Sequence, residues 1–173
     1  MPGDQPNVYI QRALFGGAIQ AEIPQRFLDV SDAREVPDHQ EFWSDPENNE
    51  SIMIEINEGK PEISDADCAH FFFNDLAEVS GAVGCEFLGQ IPLGTINVPQ
   101  PSAFSCGRLC VGTHTVRSED RGEANYVIQV LLAVLRLPQV NTDVLLIMHT
   151  PTMINPDIPN KGMQCDMSPC KER

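Results

Sequence analysis

Carboxylates are the chemically active side chains that this sequence holds in the largest number and the most uneven distribution. They suit either acid–base catalysis or the binding of cations. Between Asp29 and Asp67, thirteen acids stand against two bases, Arg34 and Lys60, so 39 residues carry a net charge of -11. The thirteen are Asp29, Asp32, Glu35, Asp38, Glu41, Asp45, Glu47, Glu50, Glu55, Glu58, Glu62, Asp65 and Asp67. Such a run is typical of a solvated face, and the alternative is a docking surface for a cationic partner.

Glu55 and Glu58 are the acids whose spacing invites comparison with a catalytic pair. A glycosidase places two carboxylates on either side of the scissile bond, inside a sugar cleft that is rich in aromatic side chains. Aromatic residues make up only 6% of this sequence, and Trp43 is its one tryptophan. The composition therefore argues against glycoside hydrolysis.

Cysteine and histidine show no spacing that is typical of a metal site or a nucleophile. On one strand Cys106 and Cys110 would stand about 13 Å apart, which is too far to share a metal, so we expect core thiols. Cys165 and Cys170 lie in a polar, proline-bearing segment, which favours exposed, oxidisable thiols over zinc ligands. The histidines show no HExxH pattern, and neither GxxxxGK[ST] nor GxGxxG occurs; they are His39, His70, His114 and His149. The sequence predicts no catalytic residue, metal or cofactor.

The overall composition bounds the class of protein. A chain of 173 residues matches one domain, and its net charge of -14 disfavours nucleic acid and anionic membranes as partners. The longest apolar runs, Val130 to Leu135 and Val144 to Met148, are far shorter than the ~18 residues of a membrane span. The first residues do not resemble a secretory signal, so we expect reduced cysteines and a location in nucleus and cytoplasm.

Three local patterns predict secondary structure in the first half of the chain. Leu14 to Ile23 reads as two short strands around Gly16-Gly17, which indicates a hairpin. Ser51 to Glu58 alternates isoleucines with Met53, Glu55 and Asn57, so this segment should be a half-buried strand whose Glu55 is free of the core. Ser64 and Asp67 resemble a capping box, and the apolar spacing that follows predicts a helix ending at Gly81.

The second half of the chain is richer in strand patterns. Strand-like stretches cover Val83 to Ile91, Phe104 to Val116 and Asp143 to Thr150. Tyr126 to Leu137 is also read as a strand, with a buried helix as the alternative, because a short continuous apolar run fits both. The turn residues Pro138 to Asp143 favour an antiparallel pair. Together these elements predict an α+β fold with an antiparallel sheet of about six strands.

Several sequence blocks resemble a known family. They are FGGAI (Phe15 to Ile19), FLDVSDAREVPDHQEFW (Phe27 to Trp43), ESIMIEINE (Glu50 to Glu58), FFFNDLAEVSG (Phe71 to Gly81) and LLAVLRLPQVNTDVLL (Leu131 to Leu146). In order and spacing they are similar to the Ran guanine-nucleotide release factors, the Mog family. The resemblance implies an antiparallel sheet between helical layers, as in the photosystem extrinsic proteins, and a non-enzymatic protein that binds the GTPase Ran, promotes nucleotide release and supports nuclear import.

The resemblance also implies site residues and boundaries. The family's Ran-binding carboxylates in the strand motif fall on Glu55 and Glu58, and the REVPD block adds Arg34, Glu35, Asp38 and Glu41. Residues 1–12 would be a flexible N-terminus, 13–150 the Ran-binding domain and 151–173 a poorly ordered tail. The family continues into a long amphipathic helix after the last strand, whereas here four prolines disfavour such a helix: Pro151, Pro156, Pro159 and Pro169.

Two functions from different classes remain open at this stage. The first is a Ran-binding release factor that acts as a monomer. The second is an acidic adaptor or scaffold on the same fold, which would bind a basic partner without changing any nucleotide affinity. Release of a fluorescent guanine nucleotide from Ran separates the two.

Overall fold

A seven-stranded antiparallel sheet forms the centre of the structure, a computed structural model that describes residues 8–94, 104–117 and 124–154. The strands run in the spatial order β3-β4-β5-β9-β8-β7-β6, and a separate hairpin is formed by β1 and β2. The strands are β1 (Tyr9–Leu14), β2 (Ile19–Pro24), β3 (Leu28–Asp29), β4 (Gln40–Asp45), β5 (Glu50–Glu58), β6 (Gly84–Pro92), β7 (Cys106–Arg117), β8 (Ala124–Leu137) and β9 (Thr142–Ile154). The single described α-helix, α1, spans Cys68–Val79.

The β1–β2 hairpin covers part of one face of the sheet. Its strands pair from Tyr9 opposite Pro24 to Leu14 opposite Ile19, across a 3-10 turn at Phe15–Gly17. Gly16 has a φ of 65°, a left-handed conformation that suits glycine. The hairpin's inward side chains join a buried cluster with sheet residues: Leu14, Ile23, Phe27, Trp43, Ile54 and Val144. The hairpin predicted around Gly16-Gly17 is thus confirmed.

Helix α1 covers the opposite face of the sheet. The Ser64 hydroxyl donates to the Asp67 carboxylate over 2.6 Å, and the Asp67 N–H donates back to Ser64 Oγ over 3.2 Å. Ser64 therefore closes a turn over residues 65–67 and is not the N-cap of the helix, as the sequence suggested; Asp67 is the N-cap and regular helix begins at Cys68. Gly81 follows the end of the helix with a φ of 65°. Phe72 and Phe73 are fully buried on the sheet. The predicted helix is confirmed, and within the described residues no helix is both long and apolar enough to cross a membrane.

The layers on the sheet differ from the expectation. Helical layers on both faces are not confirmed, because in the described residues α1 covers one face and the β1–β2 hairpin covers part of the other. A hairpin with alternating apolar residues buries a sheet face as an amphipathic helix would. The sheet also has seven strands rather than about six, since β3 and β4 lie in the acid-rich segment, where charge obscures the alternation.

The centre of the sheet is formed by β8 and β9, its most apolar strands. They pair antiparallel from Leu137 opposite Thr142 onwards, across a 3-10 turn at Pro138–Val140. Asn141 takes the left-handed conformation in that turn, with a φ of 49°. The strand interpretation of the Tyr126 to Leu137 run is therefore confirmed, and its helix alternative is excluded.

Arg136 on β8 fastens the segment that precedes α1 to the sheet. Its Nε donates to the Asp143 carboxylate on β9 over 3.2 Å, and its Nη1 donates to Asp65 Oδ1 and to the Ile63 carbonyl, each over 2.8 Å. Nη2 donates to the Lys60 carbonyl over 2.5 Å. Arg136 and Asp143 are both buried, so this pair is shielded from water and held by several hydrogen bonds.

Candidate functional site

A cleft of about 300 Å³ opens between the hairpin tip and the beginning of β4. Its lining combines apolar side chains with two carboxylates: Phe15, Gly16, Ser31, Val36, Pro37, Asp38, Gln40, Glu41 and Phe42. Asp38 is exposed at the rim and has no hydrogen bond or ion pair with any other described residue. An unpaired carboxylate beside apolar surface is a natural contact for a cationic side chain.

Glu41 connects the cleft to the hairpin. It lies opposite Ile54 on β5 and therefore points to the face that the hairpin covers. Its Oε1 accepts the Phe15 backbone N–H over 2.5 Å. This bond holds the hairpin tip, where Phe15 has a φ of 50°, against the mouth of the cleft. Glu41 thus fixes the shape of the cleft and also contributes a negative charge to it.

The two other residues of the REVPD block lie beside the cleft. The Arg34 guanidinium lies over the Phe42 ring, and its Cζ is 4.9 Å from the ring centroid. Glu35 is exposed on the same loop. The structure therefore brings Arg34, Glu35, Asp38 and Glu41 to one end of β4, where Arg34 supports an aromatic ring of the cleft.

Glu58 lies at the same end of the neighbouring strand. The Ile56 N–H donates to the His39 carbonyl over 2.9 Å, which places the end of β5 beside the Asp38 loop. Glu58 is exposed, and its Oε1 accepts from the Asn141 side-chain amide over 3.5 Å. It can extend the acidic rim towards the β8–β9 turn.

Glu55 is not on this surface, and the expectation of an exposed carboxylate there is wrong. It does point away from the face of Ile54, but it lies on the same side of β5 as Met53, which belongs to the buried cluster on the α1 face, and Glu55 is 1% exposed. Its Oε1 accepts from the Gln40 amide over 3.2 Å and lies 3.8 Å from His39 Nε2. A direct contact between the Glu55 carboxylate and a partner would require opening this face.

The two acids should therefore differ in their effect on folding. Glu55→Ala is expected to lower the free energy of unfolding by about 1–3 kcal/mol, because it removes a buried side chain and the hydrogen bond that it accepts from the half-buried Gln40 amide. Glu58→Ala, at an exposed position, should change it by less than about 0.5 kcal/mol. Urea unfolding of both variants measures the difference. Equal midpoints for the two variants would contradict the buried position of Glu55.

The acids at the other end of β4 are neutralised within the chain. Arg26 forms ion pairs with Asp45 and Glu50. Burial by itself would raise the pKa of Asp45, but hydrogen bonds from the Asn48 side chain and from Arg26 outweigh it and lower that pKa. The acidic segment is thus uneven: Asp45 and Glu50 are paired with Arg26 at one end of β4, whereas Asp38 at the cleft forms no hydrogen bond or ion pair with another described residue.

The described thiols are poor candidates for chemistry. Burial raises the pKa of Cys110 to about 12 and that of Cys68 to about 11, so both stay protonated at neutral pH. Cys110 is buried as expected, whereas Cys106 is partly exposed. Cys165 and Cys170 lie outside the described residues. Within those residues, no cluster of histidine, cysteine and acidic side chains is arranged to hold a metal ion.

The apolar floor of the cleft was not predictable from the acidic pattern. Phe15 and Val36 come from separate segments that meet only when the hairpin folds onto β4. The FGG turn could have indicated part of this floor, since a large aromatic residue such as Phe15 at a hairpin tip either packs against another segment or remains exposed.

The fold and the cleft together define a class: a small antiparallel-sheet domain with two carboxylates, Asp38 and Glu41, at a partly apolar cleft. The family model of the Ran-interacting Mog1 protein matches residues 12–151. The chain belongs to this Mog1 family, as its sequence blocks indicated.

Individual relatives support the same assignment. A Ran guanine nucleotide release factor from Danio rerio is 33% identical over 152 residues, covering 85% of this chain and 81% of the relative. Its counterpart from Homo sapiens is 33% identical over 138 residues, covering 80% and 74%. The crystal structure of the Saccharomyces cerevisiae Ran-binding protein Mog1p matches with a TM-score of 0.66 at 24% identity, over 84% of this chain and 78% of that one. This structural match shows the fold.

Proposed function

We propose that this protein binds the GTPase Ran at the cleft between the hairpin tip and β4 and promotes release of its guanine nucleotide. The observation that supports this most is the unpaired Asp38 beside Glu41, over an apolar floor, in a chain of the Mog1 family. Glu35 and Glu58 would widen the contact, and Arg34 would hold the Phe42 ring in place. Glu55 would contribute indirectly, because its carboxylate accepts a hydrogen bond from Gln40 and so holds Gln40 in the cleft wall.

The composition of the cleft suits a lysine or arginine side chain of the partner. The methylene groups of such a side chain can lie along Phe15 and Val36 while its charged end meets Asp38 and Glu41. Contacts of this kind are charge-assisted hydrogen bonds, which are about twice as strong as neutral ones. The cleft therefore offers both an apolar and an electrostatic contact to the same group.

Nucleotide release needs no covalent chemistry from this chain. If the protein binds nucleotide-free Ran more tightly than loaded Ran, linkage requires that it weakens nucleotide binding by the same factor. A thousandfold weakening corresponds to about 4 kcal/mol of differential binding, which a few charge-assisted contacts supply. Such a regulator of Ran would work in nuclear protein import, in the nucleus and cytoplasm.

Salt dependence of the association rate tests the electrostatic part of this proposal. The chain has a net charge of -14, so its field should steer a basic surface of Ran towards the cleft. We expect the association rate to fall at least about tenfold between low salt and several times physiological salt, because the Debye length shrinks to a few ångströms. Stopped-flow mixing with fluorescently labelled Ran measures this rate. A rate that is independent of salt would contradict binding through the acidic cleft.

A further inference from the structure

Half of one sheet face is apolar and is left uncovered by the other described residues. The hairpin cluster on this face includes residues of β4, β5 and β9 and reaches the end of β8 at Leu135 and Leu137. The same side of β6, β7 and the rest of β8 has no layer over it in residues 8–94, 104–117 and 124–154. Leu131 is 39% exposed, Leu146 is 37% exposed and Ile91 is 59% exposed. These are large aliphatic side chains in the body of the sheet, where burial is the rule.

The strand register shows that these residues form one surface. Ile91 pairs with Leu109, Leu109 with Ala133, and Ala133 with Leu146, which makes a continuous row across four strands. Val111 and Leu131 pair in the adjoining row, and paired residues share a face. We call this surface the open face, and it consists of Ile91, Leu109, Val111, Leu131, Ala133 and Leu146.

From this arrangement we infer that the open face is the contact through which two copies of this chain form a symmetric dimer. On this side of the sheet the hairpin forms an extra layer over one half, and the open face is the other half, which lacks that layer. A two-stranded layer and a second sheet both pack at about 10 Å from the sheet beneath them. The β6–β8 half of a second copy can therefore pack on the open face of the first copy, in the same layer as the first copy's hairpin. The hairpin of each copy then lies beyond the β6 edge of the other copy.

Area and charge are both compatible with this occupant. Three of the six side chains are more than a third exposed. A standard interface buries about 800 Å² per partner and is only slightly more than half apolar, so the open face can form the apolar centre of such an interface and its polar surroundings the rim. None of the six residues is charged. The acid-rich segment, residues 29–67, includes β3 to β5 at the far side of the sheet order from β6. A two-fold axis through the open face keeps the two acidic segments at opposite ends of the dimer, where repulsion is weak.

The test is the molar mass of the full-length chain in solution, measured by sedimentation across the micromolar range. We expect a concentration-dependent dimer, and Leu131→Glu should weaken dimerisation at least about 100-fold, because it buries a charge in the centre of the contact. Ile91→Glu, on the edge strand and more exposed, should act in the same direction with little effect on folding. Val140→Glu is the matched control, since Val140 is 65% exposed in the β8–β9 turn and its change in charge is the same.

Each other result would overturn the inference. A wild-type chain that stays monomeric throughout the range would do so, and so would a dimer that persists in both Leu131→Glu and Ile91→Glu. If the full chain is monomeric but a chain ending at Ile154 dimerises, residues 155–173 cover the open face instead. A dimer of the full chain would replace the monomer that the sequence led us to expect.

Discussion

Exchanging Asp38 for asparagine and Glu41 for glutamine together should weaken Ran binding on the order of 100-fold, because two charge-assisted contacts become neutral ones. These exchanges remove charge while keeping shape, and the glutamine carbonyl can still accept the Phe15 N–H that holds the hairpin tip. The free energy of unfolding should therefore change little. Titration of labelled Ran with the double variant measures the affinity.

The control for this variant removes the same charge elsewhere. Glu47 lies in the β4–β5 turn and Glu78 near the end of α1, and both are exposed. Glu47→Gln combined with Glu78→Gln lowers the net negative charge equally, so it should leave affinity within about threefold if local contacts dominate over the long-range field. Equal losses in the two double variants would show that overall charge, and not the cleft, determines binding.

Replacing Arg136 by methionine should lower the free energy of unfolding by about 3–5 kcal/mol, the usual cost of removing one partner from a buried ion pair. The change leaves the buried Asp143 carboxylate without its cation and frees the Lys60 and Ile63 carbonyls. The segment between β5 and α1 would lose its attachment to the sheet. Urea or thermal unfolding measures the loss.

Two further variants separate the ion pair from general packing. Arg136→Met combined with Asp143→Leu should be more stable than Arg136→Met alone, because no unpaired charge remains buried. Arg108→Met removes one exposed hydrogen bond to the Asp65 carbonyl and should cost less than about 1 kcal/mol. If Arg136→Met unfolds at the same urea concentration as Arg108→Met, the Arg136 network does not stabilise the fold.

Local patterns in the sequence identified most elements because the residues concerned obey a single rule. The Gly16-Gly17 turn, the Ser64–Asp67 turn before α1 and the helix end at Gly81 each depend on backbone geometry within a few residues. The strand β4 was missed because its sequence, QEFWSD, does not alternate polar and apolar residues. Glu41 instead holds the hairpin tip, and Asp45 pairs with Arg26.

The position of Glu55 shows what periodicity leaves undetermined. Alternation correctly placed Glu55 opposite the isoleucines, but it does not tell whether one face of a strand or both are covered. Here β5 lies between β4 and β9; Met53 joins the buried cluster on the α1 face of the sheet and Ile54 joins the cluster under the hairpin, so both faces of β5 are buried. The cleft was likewise out of reach, since Phe15, Val36 and Glu41 meet only through tertiary packing.

The most direct test of the proposed function is release of a fluorescent guanine nucleotide from Ran in the presence of this protein. We expect release to accelerate with increasing concentration of the protein and to saturate, and the Asp38→Asn, Glu41→Gln double variant should need a correspondingly higher concentration to reach the same rate. If the wild-type protein binds Ran but leaves the release rate unchanged, the chain is an acidic adaptor on this fold, and the account of it as a release factor is wrong.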